Sequence, residues 1–327
     1  MLRAGIAGLG WWGRMIVAAL ADNAAMQVVA STDLDPAAAL PGLPFVADLD
    51  ALLTDPASDA VILCTPHRFH AGQILAAARA GKHVFCEKPL CLTRAEAEAA
   101  IDACNRAGVV LGVGHERRFE PPVLALRELV RSGALGIPLQ IEANFSQDKF
   151  LTLDPSNWRL SPVEAPAGPL TATGIHLLDL AVSLLGPADS VLCRLRQPGQ
   201  FLANGDTLAL MLGFPGGASA LISAILATPF DGRFALYGSE GWAEVRDRAH
   251  PEASEGWTLT VSQRGKSRTV QEFGPTHAVR ANLEAFATAA AGGAPYSVTP
   301  AEMVGTVAAL EAALRSAASG QIEPVGR

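Results

Sequence analysis

Three glycines, one aspartate, one lysine and one histidine carry most of the chemistry legible in this chain of 327 residues. Gly8, Gly10 and Gly13 stand in the spacing G-x-G-x-x-G, directly after a short apolar run and directly before a helical pattern. In that setting each glycine has a physical reason. The first allows a tight turn out of a strand, the second a close approach of backbone to a pyrophosphate, and the third the packing of helix on sheet. The phosphates would then meet a helix N-terminus, where unpaired N–H groups and the macrodipole favour negative charge. Asp33 closes the next apolar run, about twenty residues on, the place from which a carboxylate bonds adenosine ribose hydroxyls and repels a 2′-phosphate. No Arg or Lys follows in Leu34-Asp35-Pro36, so NAD is expected over NADP.

Further along, Cys64-Thr65-Pro66-His67-Arg68-Phe69-His70 follows a buried run. Ligands of open α/β sheets bind beyond the carboxyl ends of strands, so Thr65 and Pro66 are placed to line a cofactor cleft. His67 and His70 offer two metal ligands, but no third accompanies them, and no metal is expected. Glu87-Lys88-Pro89 ends another short apolar run. A lysine there could bind a substrate hydroxyl and ease its deprotonation; a plain surface lysine is the other reading. His176 lies in an apolar helical segment, three residues before Asp179 and on the same helical face. A lone histidine in such a helix is more often a satisfied core residue than a proton acceptor.

The elements that must position these residues follow a clear order. Apolar, β-branched runs at Leu2–Ala7, Met26–Thr32, Ala60–Cys64, His83–Cys86 and Val109–Val113 alternate with helical patterns, which predicts βαβ units and a parallel sheet. After Gly114 the character changes. A helix over Pro121–Ser132, a strand over Leu139–Phe145 and a Pro-rich loop over Leu151–Ala167 precede an apolar helix over Leu170–Leu185. Short strand-like runs then recur between glycine-rich turns, before two final helices over Val279–Ala291 and Thr299–Ala318. The expected architecture is α/β, a dinucleotide-binding domain followed by an α+β domain on an open, largely antiparallel sheet.

Composition narrows the partners. The net charge is −7 with the two signs interspersed, which argues against nucleic acid, and no apolar run approaches a membrane span. Cys64, Cys86, Cys91, Cys104 and Cys193 are odd in number and form no C-x-x-C pair, as expected of core thiols in a reducing, cytoplasmic setting.

Taken together, these residues resemble the Gfo/Idh/MocA family, named for glucose–fructose oxidoreductase, inositol dehydrogenase and a rhizopine-catabolism protein. The matching pieces are Gly8–Gly13, Asp33, Thr65-Pro66 with His70, Gly81-Lys-His-Val84 with Glu87-Lys88-Pro89, Arg118-Phe119, Trp158-Arg159, Gly174-Ile-His176 with Asp179, and Tyr237–Gly241. The resemblance implies a Rossmann domain over 1–117 and a substrate-binding and oligomerising domain over 118–327, with dimers or tetramers formed through the second sheet. It implies NAD-dependent hydride transfer at a hydroxyl-bearing carbon of a sugar, cyclitol or related ring. It assigns catalysis to Lys88 and His176, with cofactor contacts from Gly8, Gly10, Trp12, Gly13, Asp33, Thr65, Pro66, His70, Glu87 and Lys88. Substrate contacts fall to Lys88, Glu116, Arg118, Trp158, Arg159, Thr173 and His176.

One departure matters. Where the family commonly carries an Asp four residues before the histidine, this chain has Ala172. Glu116 could supply the missing carboxylate, or could pair with Arg117 or Arg118. A nucleotide-bound sensor without activity, and a redox-cycling lyase or glycosidase, are the alternative functions on the same fold.

Overall fold

The apolar runs of the first third become parallel strands, each followed by a helix. The computed structural model describes residues 1–326 and begins β1 (Leu2–Ala7), α1 (Trp11–Ala19), β2 (Met26–Thr32), α2 (Leu49–Thr54), β3 (Ala60–Leu63), α3 (His70–Arg79), β4 (His83–Cys86), α4 (Arg94–Ala107) and β5 (Leu111–Val113). The strands form a five-stranded sheet in the order β2-β1-β3-β4-β5, with every pair parallel. The order reverses between β1 and β3, and in open α/β sheets ligands bind at that switch point, beyond the strands' carboxyl ends. Local signals set the helix ends. Around α4, the Thr93 hydroxyl accepts from Glu96 N–H at 3.3 Å and Glu96 Oε2 accepts from Thr93 N–H at 3.0 Å, and Gly108 stops the helix at φ 68°.

The chain continues through α5 (Pro121–Arg131), β6 (Pro138–Ser146), α6 (Ile175–Leu185), β7 (Ser190–Arg196), β8 (Thr207–Gly213), β9 (Ser219–Ile225), β10 (Asp231–Gly238), β11 (Gly241–Asp247), β12 (Trp257–Gln263) and β13 (Thr269–Phe273). It ends in α7 (Ala278–Ala290), α8 (Pro300–Ser319) and β14 (Glu323–Pro324). The second sheet has nine strands in the order β13-β12-β11-β10-β6-β9-β8-β7-β14. β6 and β9 pair in parallel and the other neighbours antiparallel. One core gathers Ile141, Leu210, Ala220 and Leu236 from this sheet with Leu126 of α5, Leu178 of α6 and Ala309 and Ala312 of α8. The helices thus cover one face. Along β8, Leu208, Leu210 and Leu212 are buried while Ala209 and Met211 between them are exposed, the alternation of a half-covered sheet.

The chain forms two compact units, Met1–Glu116 with His277–Val304, and Arg117–Thr276 with the chain from Gly305 on. The division therefore differs from a single cut at residue 117. α7 belongs to the first unit, where Leu283 and Phe286 share a core with Ile6, Ile62 and Phe85. The Phe85 and Phe286 rings stand 5.5 Å apart, and Asn282 Nδ2 donates to the Val113 carbonyl at 2.9 Å. Its apolar stripe covers the parallel sheet, a destination that amphipathicity alone does not name. The segment expected as one helix over Leu170–Leu185 instead opens with a π-helical turn, Leu170–Gly174, before α6. The edge strands β13 and β14 have no counterpart among the expected elements. The first is almost wholly exposed and the second has only two residues, so neither shows an apolar pattern.

Candidate active site

In the first unit, the predicted cofactor residues lie on the segments that leave β1, β2, β3 and β4. Gly8 has φ 96°, and a side chain on it would meet the Cys64 carbonyl at 2.6 Å. A side chain on Gly13 would collide with the Gly8 carbonyl, while Gly10 has nothing within 4 Å. The outer glycines are thus demanded by the chain's own packing, and the middle one leaves open space. Gly10 caps α1 without a side-chain hydrogen bond, and the first turn holds no acidic residue. A cradle of this kind fits a dinucleotide pyrophosphate. Trp12, in that first turn, is half-buried with its ring 5.3 Å from Trp11.

Asp33 grips this loop directly. Its Oδ2 accepts from Leu9 N–H at 2.6 Å and its Oδ1 from Asp35 N–H at 2.9 Å. The same Leu9 residue is held from its other end by Arg14, whose Nε donates to the Leu9 carbonyl at 3.0 Å and whose Nη2 donates to the Ala38 carbonyl at 2.7 Å. Sequence reasoning misses Arg14 because it looks for a cation among the residues that follow Asp33. Here the cation comes from α1, earlier in the chain.

At the neighbouring rim, Thr65 Oγ1 donates to Gln73 Oε1 at 2.5 Å, and Pro66 opens the short helical turn His67–Phe69. Glu87 is buried, its carboxylate packed beneath Gly114, and its Oε2 accepts from Lys88 N–H at 3.2 Å. Lys88 itself is half-buried. His70 departs from its expected cofactor role. It has no exposed surface; Nδ1 lies 2.8 Å from the Pro89 carbonyl and Nε2 lies 2.9 Å from the Thr65 carbonyl. Burial pushes this imidazole below its usual range, against the pull of those carbonyls.

The second unit positions His176 by a different device. The π turn 170–174 delivers it to the first turn of α6, 5 % exposed, with its ring 6.0 Å from Phe145 at the end of β6. π turns of this kind recur at functional sites. Phe145 is the hub of a cluster: Phe230 and His250 each lie 6.0 Å from it, and the Arg117 guanidinium stands 5.2 Å over its ring. His250 Nε2 meets Gln147 Oε1 at 2.7 Å and its Nδ1 meets Lys149 Nζ at 3.0 Å, so a neutral ring donating through Nε2 and accepting at Nδ1 satisfies both. Burial, then the Lys149 charge, pushes His250 down to about 4. Sequence reasoning does not find Phe145, Gln147, Lys149 or His250. Phe145 shows only as part of the apolar alternation of β6, which does not reveal which histidine stands across from it, and the other three lie outside that strand.

Four predicted substrate residues, Thr173, Arg118, Trp158 and Arg159, are engaged within the fold or held in place. Thr173 is 1 % exposed, and its hydroxyl donates to the Pro169 carbonyl at 3.3 Å. Arg118 is buried and makes a two-pronged pair with Asp179, Nε to Oδ2 and Nη2 to Oδ1, both at 2.7 Å. Thr306 Oγ1 adds a third bond to Asp179 at 3.2 Å. The two motif residues are therefore engaged with each other in a buried ion pair. Arg159 stacks 4.4 Å over Trp158, and buried Asn204 donates to the Arg159 carbonyl at 2.7 Å and the Ala165 carbonyl at 2.8 Å. Trp158 and Arg159 remain half-buried on that pinned loop, and Glu116 is half-buried at the start of the turn Glu116–Phe119.

Residues 2–115 match the oxidoreductase family with an NAD-binding Rossmann fold, and residues 123–244 match the GFO/IDH/MocA C-terminal domain. A 1,5-anhydro-D-fructose reductase of Ensifer adhaerens is 30% identical over 84% of this chain and 82% of its own length. This chain belongs to the Gfo/Idh/MocA oxidoreductase family. Another Gfo/Idh/MocA-like relative, the D-xylose 1-dehydrogenase (NADP(+)) 2 of Haloferax volcanii, is 30% identical over 83% of this chain and 82% of its own length. Among solved structures, the aldose-aldose oxidoreductase of Caulobacter crescentus, complexed with glycerol, superposes with a TM-score of 0.84 at 27% identity, covering 99% of each chain. Membership makes this protein a nicotinamide-dependent oxidoreductase whose family chemistry is hydride transfer at a sugar or cyclitol hydroxyl.

Proposed function

We propose that this enzyme uses NAD(H) in preference to NADP(H) to interconvert a ring hydroxyl and a ketone on a sugar or cyclitol, with Lys88 and His176 as its catalytic residues. One observation carries the reading. The glycine loop and the Lys88 loop leave adjacent parts of one parallel sheet at the same carboxyl-end rim, β1, β3 and β4 in succession, so Lys88 shares the nucleotide's edge. Gly8, Gly10 and Gly13 would hold the pyrophosphate, and Asp33 the adenosine ribose. When bound, the nicotinamide supplies the hydride acceptor or donor.

Lys88 donates a hydrogen bond to the reacting hydroxyl and stabilises the charge that grows on its oxygen. His176 takes the hydroxyl proton, a step matched to an imidazole near neutral pH. Ala172 offers no carboxylate, so substrate orientation falls to other polar groups, with Glu116, Trp158 and Arg159 as candidates. A reducing, cytoplasmic working place is supported by five cysteines that remain thiols.

We also read the uncovered sheet face as the contact between copies. In register across it run Leu192, Met211 and Leu221, flanked by Glu142, Arg233 and Glu244, an apolar patch beside mixed charge that suits a two-fold partner.

The test is absorbance of reduced nicotinamide with a panel of polyols, aldoses, inositols and anhydrosugars. Steady accumulation supports a dehydrogenase, product without accumulation a redox-cycling enzyme, and neither a sensor. On an active substrate, Lys88→Ala should lower turnover by about two orders of magnitude with NAD affinity little changed. A variant that loses NAD binding yet keeps turnover at saturation would make Lys88 a cofactor residue only.

A further inference from the structure

A lysine on a strand-end loop acts at one place only if its loop is held there. Glu87 N–H donates to the Leu63 carbonyl at 2.9 Å, in continuation of the sheet ladder. Lys88 N–H donates back to Glu87 Oε2, at 3.2 Å. Pro89 has no N–H to give, so its own backbone can tie the loop only through its carbonyl. That carbonyl faces His70 Nδ1 at 2.8 Å. The opposite edge of the same ring faces the Thr65 carbonyl at 2.9 Å, two residues past the end of β3.

We propose that His70 is the positioning residue of Lys88. It sits at the first position of α3, wholly buried, and spans the carboxyl ends of two neighbouring strands, β3 and β4. It touches neither cofactor nor substrate. It holds the Pro89–Leu90 peptide, one residue beyond Lys88, to the rim beside Thr65, and so sets the direction in which the ammonium leaves the loop. The residue type follows from the geometry. A planar ring with nitrogens on opposite edges spans two carbonyls with no water between them, the neutral ring donating to one and the imidazolium to both. An aliphatic side chain would fill the space and leave the buried Pro89 carbonyl and the half-buried Thr65 carbonyl without this polar partner. The inference rests on the reading of Lys88 as the hydroxyl-binding residue, but its test needs no substrate.

The chain has four lysines, Lys82, Lys88, Lys149 and Lys266. Reductive methylation with ¹³C-formaldehyde gives each a methyl resonance, and Lys88→Arg identifies the one that matters. Spectra of the whole protein, with and without NAD, are compared for wild type, His70→Leu and His70→Asn. The Lys88 resonance in His70→Leu should move most of the way towards that of exposed Lys266 and lose its response to NAD. The other three should stay in place, and His70→Asn, which keeps an amide donor, should recover part of the wild-type position. A Lys88 resonance unmoved in folded His70→Leu overturns the proposal. If His70→Leu does not fold, His70→Ala decides by the same criterion, since its methyl reaches neither carbonyl: a displaced Lys88 resonance supports the proposal and an unmoved one overturns it. Failure of the catalytic reading would show instead as turnover preserved in Lys88→Ala, whatever these spectra say.

Discussion

Asp179→Asn is the perturbation that best separates a structural pair from a catalytic one. The Asp179 carboxylate receives two bonds from Arg118 at 2.7 Å and one from Thr306 at 3.2 Å. The side chains of Arg118 and Asp179 are 3% and 2% exposed, so water contributes almost nothing to either charge. Neutralising the carboxylate removes the charge that faces this buried guanidinium, at a cost of up to about 3–5 kcal/mol. A folded unit is stable by only about 5–15 kcal/mol, so the loss is a large fraction of the whole. For a unit of this size it corresponds to a fall in Tm of roughly 6–20 °C. Urea unfolding followed by tryptophan fluorescence measures it, with buried Trp257 reporting on the second unit. The control is Arg118→Met with Asp179→Leu, which removes both charges and with them the need for a partner. It should recover most of the loss, because an apolar pair carries no desolvation cost. Stability of Asp179→Asn within about 1 kcal/mol of wild type would refute the reasoning, since that is the range of an exposed pair. So would a double variant less stable than the single one.

Gly10 and Gly13 of the cradle should part company. Gly10→Ala should leave stability unchanged and weaken NAD by at least about tenfold, whereas Gly13→Ala should lower Tm as well, because its methyl meets the Gly8 carbonyl. Wild-type protein should bind NAD at least about tenfold tighter than NADP, about 1.4 kcal/mol, in parallel titrations. Asp33→Ser should narrow that gap and Arg14→Ala in the same background reopen it; an unchanged ratio in Asp33→Ser would remove the carboxylate from cofactor choice. His250 carries a pH signature. Its folded pKa of about 4 lies below the unfolded value near 6.5, so its stabilisation is fully present above about pH 6.5 and lost as pH falls towards 4, up to about 3 kcal/mol. Urea midpoints measured between pH 7 and 4 should fall less steeply in His250→Gln than in wild type.

Much of the first unit is legible in the sequence because its signals are local. G-x-G-x-x-G after an apolar run, Thr93 three residues before Glu96, and Gly108 at a helix end each act within one turn of chain. Their physics travels with the residues that show it. Even so, the contact between Asp33 and the glycine loop comes with a cation that sequence order hides, since Arg14 reaches Ala38 only after the chain has folded back. The second unit is legible as strands and helices but not as a site. Which face Asp179 presents can be counted from its spacing to His176, yet its partner lies 61 residues away in sequence and its third bond 127 away. Thr173 and His70 stand out by residue type, and both are committed to backbone carbonyls. The pairing of β6 with β9 and the return of α7 to the first sheet are likewise decided by long-range packing. Residue type and spacing state what a side chain can do. Burial and long-range partners decide what it is left free to do, because a polar group taken out of water must direct its hydrogen bonds to whatever the fold brings beside it.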